Sequence, residues 1–212
     1  MIDRIEVFTQ SSICISGSNG KIYIDPFQIA DTPHDAAFLF LTHNHHDHYS
    51  PEDIRKVLNR ETVIVVPEKM LDTVKNEISG CKEIQSVKPG MSGSVKGLEY
   101  DTVPAYNILK PFHPKRAGWV GYILHLDGQR IYIAGDTDAT KEASEVKCDV
   151  ALVPIGGTYT MDAKKAAELV NRIRPSVAIP THYGSIVGKP SDGQVFARNV
   201  REEITVIEKL RF

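Results

Sequence analysis

The chain's histidines are unevenly placed. The stretch Thr42-His43-Asn44-His45-His46-Asp47-His48 puts four of the eight histidines within six positions and adds a carboxylate. Histidine is the commonest protein ligand for a transition metal. The stretch follows the apolar run Ala36-Ala37-Phe38-Leu39-Phe40-Leu41, so a buried strand delivers it. Side chains two apart on an extended segment share a face, which lets His43, His45 and Asp47 converge. A turn at Asp47 would carry His48 to a second point nearby, and the loop could then hold two cations. The alternative is a surface histidine cluster with no ion. The carboxylate and the preceding strand weigh against that.

Two more ligand-type residues arrive in the same way. An apolar strand over 130–134 ends at Gly135-Asp136-Thr137, with a glycine that allows close backbone approach. Another over 177–180 ends at Thr181-His182-Tyr183-Gly184. Alone, Asp136 is a turn-capping residue as readily as a ligand, and His182 alone is equally unspecific. Sites in α/β proteins gather outside strand ends, and the joint occurrence of all three strand ends points to one site.

The elements that must position these residues can be read along the chain. Residues 5–8, 13–16 and 21–25 alternate apolar and polar side chains and are broken by Ser-Gly-Ser-Asn-Gly, which predicts short antiparallel strands. Residues 28–35 form a loop, and His34 in it is a solvated residue. Ser50-Pro51-Glu52-Asp53 is a helix start, with Ser50 as N-cap, proline at the first position and acids in the first turn. A strand at 62–66 and a helix at 67–78 closed by Gly80 follow. Short alternating runs from 83 to 103 predict further antiparallel strands. The runs 119–126 and 130–134, joined at Asp127-Gly128, form a hairpin. A strand at 150–154 leads through Gly156-Gly157 to a helix at 162–173 with Ala166, Leu169, Val170 and Ile173 on one face. Alternating strands and helices give an α/β class.

Composition narrows the function classes. With 42% hydrophobic and 25% charged residues, the 212-residue chain is an ordinary globular protein. Its net charge of -2 offers no electrostatic footprint for nucleic acid. No apolar run reaches the ~20 residues that cross a bilayer, and charges within residues 1–6 interrupt any secretion signal. Cys14, Cys81 and Cys148 are scattered and odd in number, which argues against a disulfide framework and for buried, inert thiols in the cytoplasm. The expected partner is a small molecule, with neither nucleic acid nor membrane, and oligomeric state stays open.

The run His43-x-His45-x-Asp47-His48, followed by strand-end Asp136 and strand-end His182, resembles the metallo-β-lactamase superfamily over essentially the whole chain. The segments 103–107, 156–162 and 180–184 are most similar to a branch of small prokaryotic hydrolases related to L-ascorbate-6-phosphate lactonase. The resemblance implies an α/β fold with mixed sheets, a four-layer αββα sandwich in which residues 1–212 form one domain of two βα halves. It also implies a dinuclear metal site along one sheet edge. His43 and His45 would serve the first metal, Asp47, His48 and His182 the second, and Asp136 would bridge them. One departure stands out. Most members place a further first-metal histidine on a loop before the bridging aspartate, whereas Pro104-Ala105-Tyr106-Asn107 has none. The first site would then bind weakly, use water or His113, or stay empty; otherwise His113 is a loop histidine. His125 reads as structural, and His46 as pointing away.

Imidazole plus carboxylate without thiolate suits one or two zinc ions, with manganese or iron as alternatives. Such an ion activates water near neutral pH. The leading expectation is therefore a metal-dependent hydrolase of a small ester, lactone or phosphoester, with Asp47 and Asp136 catalytic. Tyr106, Asn107, His113 and Lys115 would bind substrate or developing negative charge. Thr158 and Thr160 would line the pocket or act as turn and cap residues. A nuclease of this fold and a non-catalytic metal-binding or regulatory protein are the alternatives.

Overall fold

The alternating residues near the N-terminus form three antiparallel strands in the computed structural model, which describes residues 2–212: β1 (Ile5–Val7), β2 (Ile13–Gly17) and β3 (Gly20–Ile24). Parallel strands β4 (Ala36–Phe40), β5 (Val63–Pro67) and β6 (Glu83–Val87) complete a six-stranded sheet in the order β1-β2-β3-β4-β5-β6. β6 departs from the antiparallel expectation. Helix α2 (Leu71–Glu77) carries the chain back between β5 and β6, so the two run in the same direction. The sequence signals for α1 (Pro51–Val57) hold in detail, since Ser50 Oγ accepts the backbone N–H of Asp53.

The second sheet has seven strands. β7 (Ser92–Val95), β8 (Leu98–Pro104), β9 (Val120–Leu126) and β10 (Gln129–Ile133) are antiparallel, and β11 (Val150–Pro154), β12 (Val177–Thr181) and β13 (Thr205–Val206) add in parallel. The β9–β10 turn places Asp127 at φ 50 and Gly128 at φ 77, the left-handed pair that matches a hairpin's twist. Helices α3 (Lys141–Ser144), α4 (Ala163–Ile173) and α5 (Asp192–Asn199) accompany this sheet. The sequence pattern showed neither α5 nor β13. Gly193 and Asn199 weaken the helical signal of α5, and packing against α4 around buried Phe196 sustains it instead.

Side-chain alternation along β4 and β5 explains the layers. Phe38, Phe40, Val63 and Val65 join the large core between the sheets, where the Phe40 ring meets Tyr100 and Tyr122 edge-on at 5.5 and 5.0 Å. Leu39, Leu41, Ile64 and Val66 form a second cluster with Ile54, Val57 and Val74 of the first two helices. Ala166, Leu169, Val170 and Ile173 bury the inner face of α4. The result is the four-layer helix–sheet–sheet–helix arrangement, and strands covered on both faces are apolar throughout. Among the described residues no helix is long and apolar enough to cross a membrane. Cys14 is buried and Cys81 and Cys148 half-buried; burial pushes the Cys14 thiol up to about 11 and that of Cys148 to about 12, so these two stay protonated.

A side-chain bond helps tie the two sheets beneath the histidine loop: the buried Tyr122 hydroxyl donates to the Leu41 carbonyl at 2.7 Å. Tyr122→Phe leaves that carbonyl without its partner and is expected to lower stability by about 1–3 kcal/mol. Urea unfolding at unchanged m-value tests this, and an unchanged midpoint would remove the bond from the fold's supports.

Candidate metal centre

Past β4 the chain turns at His45, where the backbone N–H groups of His48 and Tyr49 both donate to the His45 carbonyl at 2.9 and 2.8 Å. The turn itself spans residues 46–48, so Asp47 lies within it as expected. Convergence of His43, His45 and Asp47 thus comes from the turn rather than from one face of an extended run. The His43 and His45 rings lie 4.7 Å apart, edge to face.

β10 delivers Asp136 through Gly135, at φ +63, where a Cβ would come within 3.2 Å of the Thr42 side chain. β12 delivers His182, itself in the left-handed region at φ 57, with its N–H donated to the Gln10 carbonyl at 2.9 Å. Backbone strain of this kind persists where the surroundings enforce it, and it clusters at functional sites. Asp136 sits at the centre. Its Oδ2 lies 3.3 Å from His113 Nε2, 3.4 Å from His182 Nε2 and 3.9 Å from His43 Nε2, and its Oδ1 lies 3.3 Å from His48 Nε2. Asp47 Oδ2 is 3.2 Å from His182 Nε2 and 3.8 Å from His48 Nε2.

Two triads able to hold a metal ion result, His43/His45/His113 and Asp47/His48/His182, with the ligand atoms of each within 4.8 Å of one another. His113 therefore occupies the place that the 104–107 segment leaves without a histidine. The loop returns through Asn107 N–H to the His113 carbonyl, 2.7 Å, and Ala105 N–H to the Trp119 carbonyl, 3.0 Å, which carries a residue later in sequence back to the sheet edge.

Tautomers follow from the hydrogen bonds. Asp25, fully buried at the end of β3, accepts Thr42 N–H at 2.8 Å, the Thr42 hydroxyl at 2.5 Å and His48 Nδ1–H at 2.7 Å. Because the Thr42 hydroxyl donates to Asp25, its oxygen is left to accept His43 Nδ1–H at 2.9 Å. Asn107 Nδ2 donates to the Tyr159 carbonyl at 2.9 Å, which turns Oδ1 toward His113 Nδ1–H at 3.1 Å. In all three rings the outer nitrogen carries the proton and Nε2 points inward. Those three Nε2 atoms and Asp136 Oδ1 are buried without a hydrogen-bond partner. Buried polar atoms are normally satisfied, and inward lone pairs around a carboxylate are what a divalent cation coordinates, so the residues fit a metal. A further grouping, Asp25/His43/His48, engages the outer nitrogens and is structural.

Charge follows the same pattern. Burial and the neighbouring His48 hold His43 well below the usual imidazole range. Burial would also lower His48, but Asp136 and Asp25 beside it favour a second proton, on Nε2, which competes with a cation for that nitrogen. Burial would raise Asp136, and His182, His48 and His113 together keep it ionised; His182 and His48 do the same for Asp47. Binding of a divalent cation then displaces the His48 proton.

The site opens into a cleft of about 320 Å³, with His45, Asp47, Asp136 and His182 on its floor, Phe112, Tyr159 and Ile186 as walls, and His46 at the rim. His46 is exposed and not among the ligand groupings, yet it faces the mouth. A larger groove between β1 and residues 207–211 contains no histidine. Several residues expected to bind substrate stand outside the cleft lining. Asn107 positions His113, as above. Tyr106 donates its hydroxyl to Glu142 at 2.8 Å, and Lys115, 2.6 Å from Glu142, lies over the Tyr106 ring. Tyr159, rather than Thr158 or Thr160, faces the cleft. His125 pairs with Asp101 at 2.7 Å and exposed His34 with the Leu58 carbonyl, both far from the site in role. Sequence reasoning passed over Asp25, Thr42 and Trp119, whose ring packs at 4.9–5.1 Å on His43, His45 and His113. Asp25 had a signal, an apolar strand ending in a carboxylate.

Two outcomes test this geometry. Asn107→Leu frees His113 Nδ1 and is expected to weaken binding of the ion at the His43/His45/His113 triad by about 10–100-fold, leaving the other ion in place; chelator competition would show it. Lys115 holds the Glu142 carboxyl down to about 2 from 4.5, so its contribution is full above pH 4.5 and fades as pH falls toward 2. In Lys115→Met, the carboxyl carbon of Glu142 should titrate higher by NMR, short of 4.5 because its backbone and Tyr106 hydrogen bonds remain; an unshifted midpoint would exclude the ion pair as the main cause.

Comparison with known proteins agrees with the fold. The sequence model of the beta-lactamase superfamily domain matches residues 4–182. A UPF0173 metal-dependent hydrolase from Methanopyrus kandleri is 31% identical, over 92% of this chain and 91% of its own length. Among solved structures, a chain described as a metal-dependent hydrolase from Parabacteroides distasonis superposes with a TM-score of 0.81 at 28% identity, covering 98% of this chain and 93% of that one. A metallo hydrolase from the hyperthermophilic archaeon Ignicoccus hospitalis gives 0.78 at 22% identity, covering 96% and 93%, and speaks for the fold alone. The ligand-rich strand ends thus lie within a match that runs almost the length of the protein, and this chain belongs to the beta-lactamase superfamily, among its UPF0173 metal-dependent hydrolases.

Proposed function

We propose that the protein hydrolyses a small ester, lactone or phosphoester with a water activated between the two triads, and that zinc is the resident metal. The observation that carries this is the set of three buried, inward Nε2 atoms without partners around the Asp136 carboxylate. His43, His45 and His113 would hold one ion, Asp47, His48 and His182 the other, and Asp136 would lie between them. When bound, a divalent cation lowers the pKa of a coordinated water from about 15.7 to about 7 and polarises the substrate oxygen. Imidazole and carboxylate donors without thiolate favour zinc.

The chain's own residues supply position and proton traffic. Asp47 lines the cleft and is kept ionised, so it can orient the attacking water and accept its proton. Asp25, Thr42 and Asn107 hold three rings in the tautomer that presents Nε2. The walls exclude bulk water from the floor, which strengthens every charge interaction there.

A regulatory, non-catalytic reading rested on a missing histidine, and His113 stands in that position. A nuclease would need cationic walls, and the cleft lining contains neither lysine nor arginine. The small-molecule substrate and cytoplasmic setting stay part of this proposal, the latter on three free cysteines.

Metal analysis with a broad hydrolase screen tests the reading. His48→Ala and His182→Ala should each lose bound metal, and Asp136→Ala should reduce hydrolysis by more than the roughly hundredfold typical of outer partners. Full occupancy in either histidine variant would remove that residue from the ligand set, and an undiminished rate in Asp136→Ala would end its bridging role.

A further inference from the structure

Large exposed apolar side chains recur on the two segments that wall the cleft. Ile186 is 45% exposed and Phe112 42%, while Leu109 at 95% and Ile108 at 59%, close to Phe112 in sequence, border a neighbouring hollow with Asp138 and Ala139. Exposed apolar residues are ordinary when single, but grouped ones mark a binding surface. Phe112 and Ile186 line the cleft directly, and Phe112 packs edge-on against Tyr159 at 4.7 Å, so two walls from different segments are joined.

The cations of the same region are turned elsewhere. Lys110, between Leu109 and Phe112 in sequence, bonds Asp138 at 3.0 Å, the Gly157 carbonyl at 3.1 Å and the Thr160 carbonyl. Its charge ties the loop to the segment that carries Tyr159. Lys115 is paired with Glu142. The lining therefore combines the metal-binding residues with apolar walls and contains no lysine or arginine. Two bound cations would offset the charges of Asp47 and Asp136, but the remaining oxygens of a phosphoester would meet Phe112, Tyr159 and Ile186 rather than a lysine or arginine.

We infer that this cleft takes an uncharged ester or lactone with an apolar acyl group, and that Phe112, Tyr159 and Ile186 are the residues that select it. The inference rests on the hydrolase reading and narrows its substrate class away from phosphoesters. In the reaction, the water oxygen bonds the acyl carbon, the bond from that carbon to the alkoxy oxygen breaks, one water proton passes to the departing oxygen, and an ester gives an acid and an alcohol while a lactone gives one hydroxy acid. The acyl chain lies along the Phe112–Tyr159 wall. Each methylene moved from water onto such a wall raises kcat/KM by about fourfold until the cavity is filled.

The test uses the full chain loaded with zinc and a panel of p-nitrophenyl esters from acetate to octanoate, alkyl γ-lactones and p-nitrophenyl phosphate. The expected result is a rise in kcat/KM with acyl length that then levels, with phosphate ester turned over at least a hundredfold more slowly. Phe112→Ala and Ile186→Ser should flatten the rise through KM. A second readout is independent of turnover. Trp119 is the only tryptophan and packs on the His43 and His113 rings, so its fluorescence reports N-methylalkanamides of increasing acyl length entering the cleft. Their affinity should increase with chain length in the wild-type protein and not in Phe112→Ala. Turnover that is flat in chain length, or fastest on the phosphate ester, overturns the inference and leaves the hydrolase reading standing. Metal bound with no turnover on any member of the panel overturns the hydrolase reading as well. If Leu109→Ser or Phe112→Ala changes the hydrodynamic size while KM is unchanged, the apolar loops join copies of the chain and the inference fails.

Discussion

The Asp25 carboxylate is the constraint on which the rest of the structure depends. It is fully buried, and burial alone raises its pKa and disfavours its charge. Three donors, all from the histidine loop, offset this: Thr42 N–H, the Thr42 hydroxyl and His48 Nδ1–H. A buried charge is tolerated only when so paired, and removing its partners is far more damaging than never having had it. The end of β3 and the start of the histidine loop are therefore locked together electrostatically, independently of any ion. Both rings that depend on Asp25, His48 directly and His43 through Thr42, face inward because of it.

Strand ends from two sheets must meet at one edge for this lock to matter. Tyr122 Oη to the Leu41 carbonyl and Val120 N–H to the Thr42 carbonyl join β9 to the segment after β4, so the second sheet is registered against the loop. Gly135 lets β10 pass within contact of Thr42, where a side chain would collide, and Asp136 then emerges in the middle of four imidazoles. His182 accepts a left-handed backbone to complete the group. Strain at one residue is offset by the packing of both sheets around it.

Much of this was legible because local signals and tertiary demands agree. The cap at Ser50, the hairpin at Asp127-Gly128 and the apolar strands ending in His43, Asp136 and His182 each have a short-range cause, and the structure keeps all of them. What was not legible depends on distance. The partner of β6 is decided by a crossover rather than by its own residues, and α5 has little helical preference apart from the packing of Phe196. Tyr106 and Lys115 read as anion-binding because of their position near a loop, but Glu142, 27 residues beyond Lys115, occupies both. The turn through Asp47, which was expected, is closed by the His45 carbonyl accepting two N–H groups just before α1 begins.

The loop that closes between Ala105 and Trp119 unites functions that sequence order keeps apart. Its return through Asn107 brings His113 to Asp136, and the same excursion projects Phe112, the residue immediately before, toward Tyr159. Asn107 couples the two outcomes, because one side of its amide fixes the His113 ring and the other holds the Tyr159 carbonyl. Lys110 adds a second tie to the same segment through the Gly157 and Thr160 carbonyls. Movement of this loop would displace a first-triad imidazole and a cleft wall together. On the proposed reading, metal at that triad and an apolar group in the cleft therefore stabilise one loop conformation, and each favours the other's binding by the reciprocity of linked equilibria.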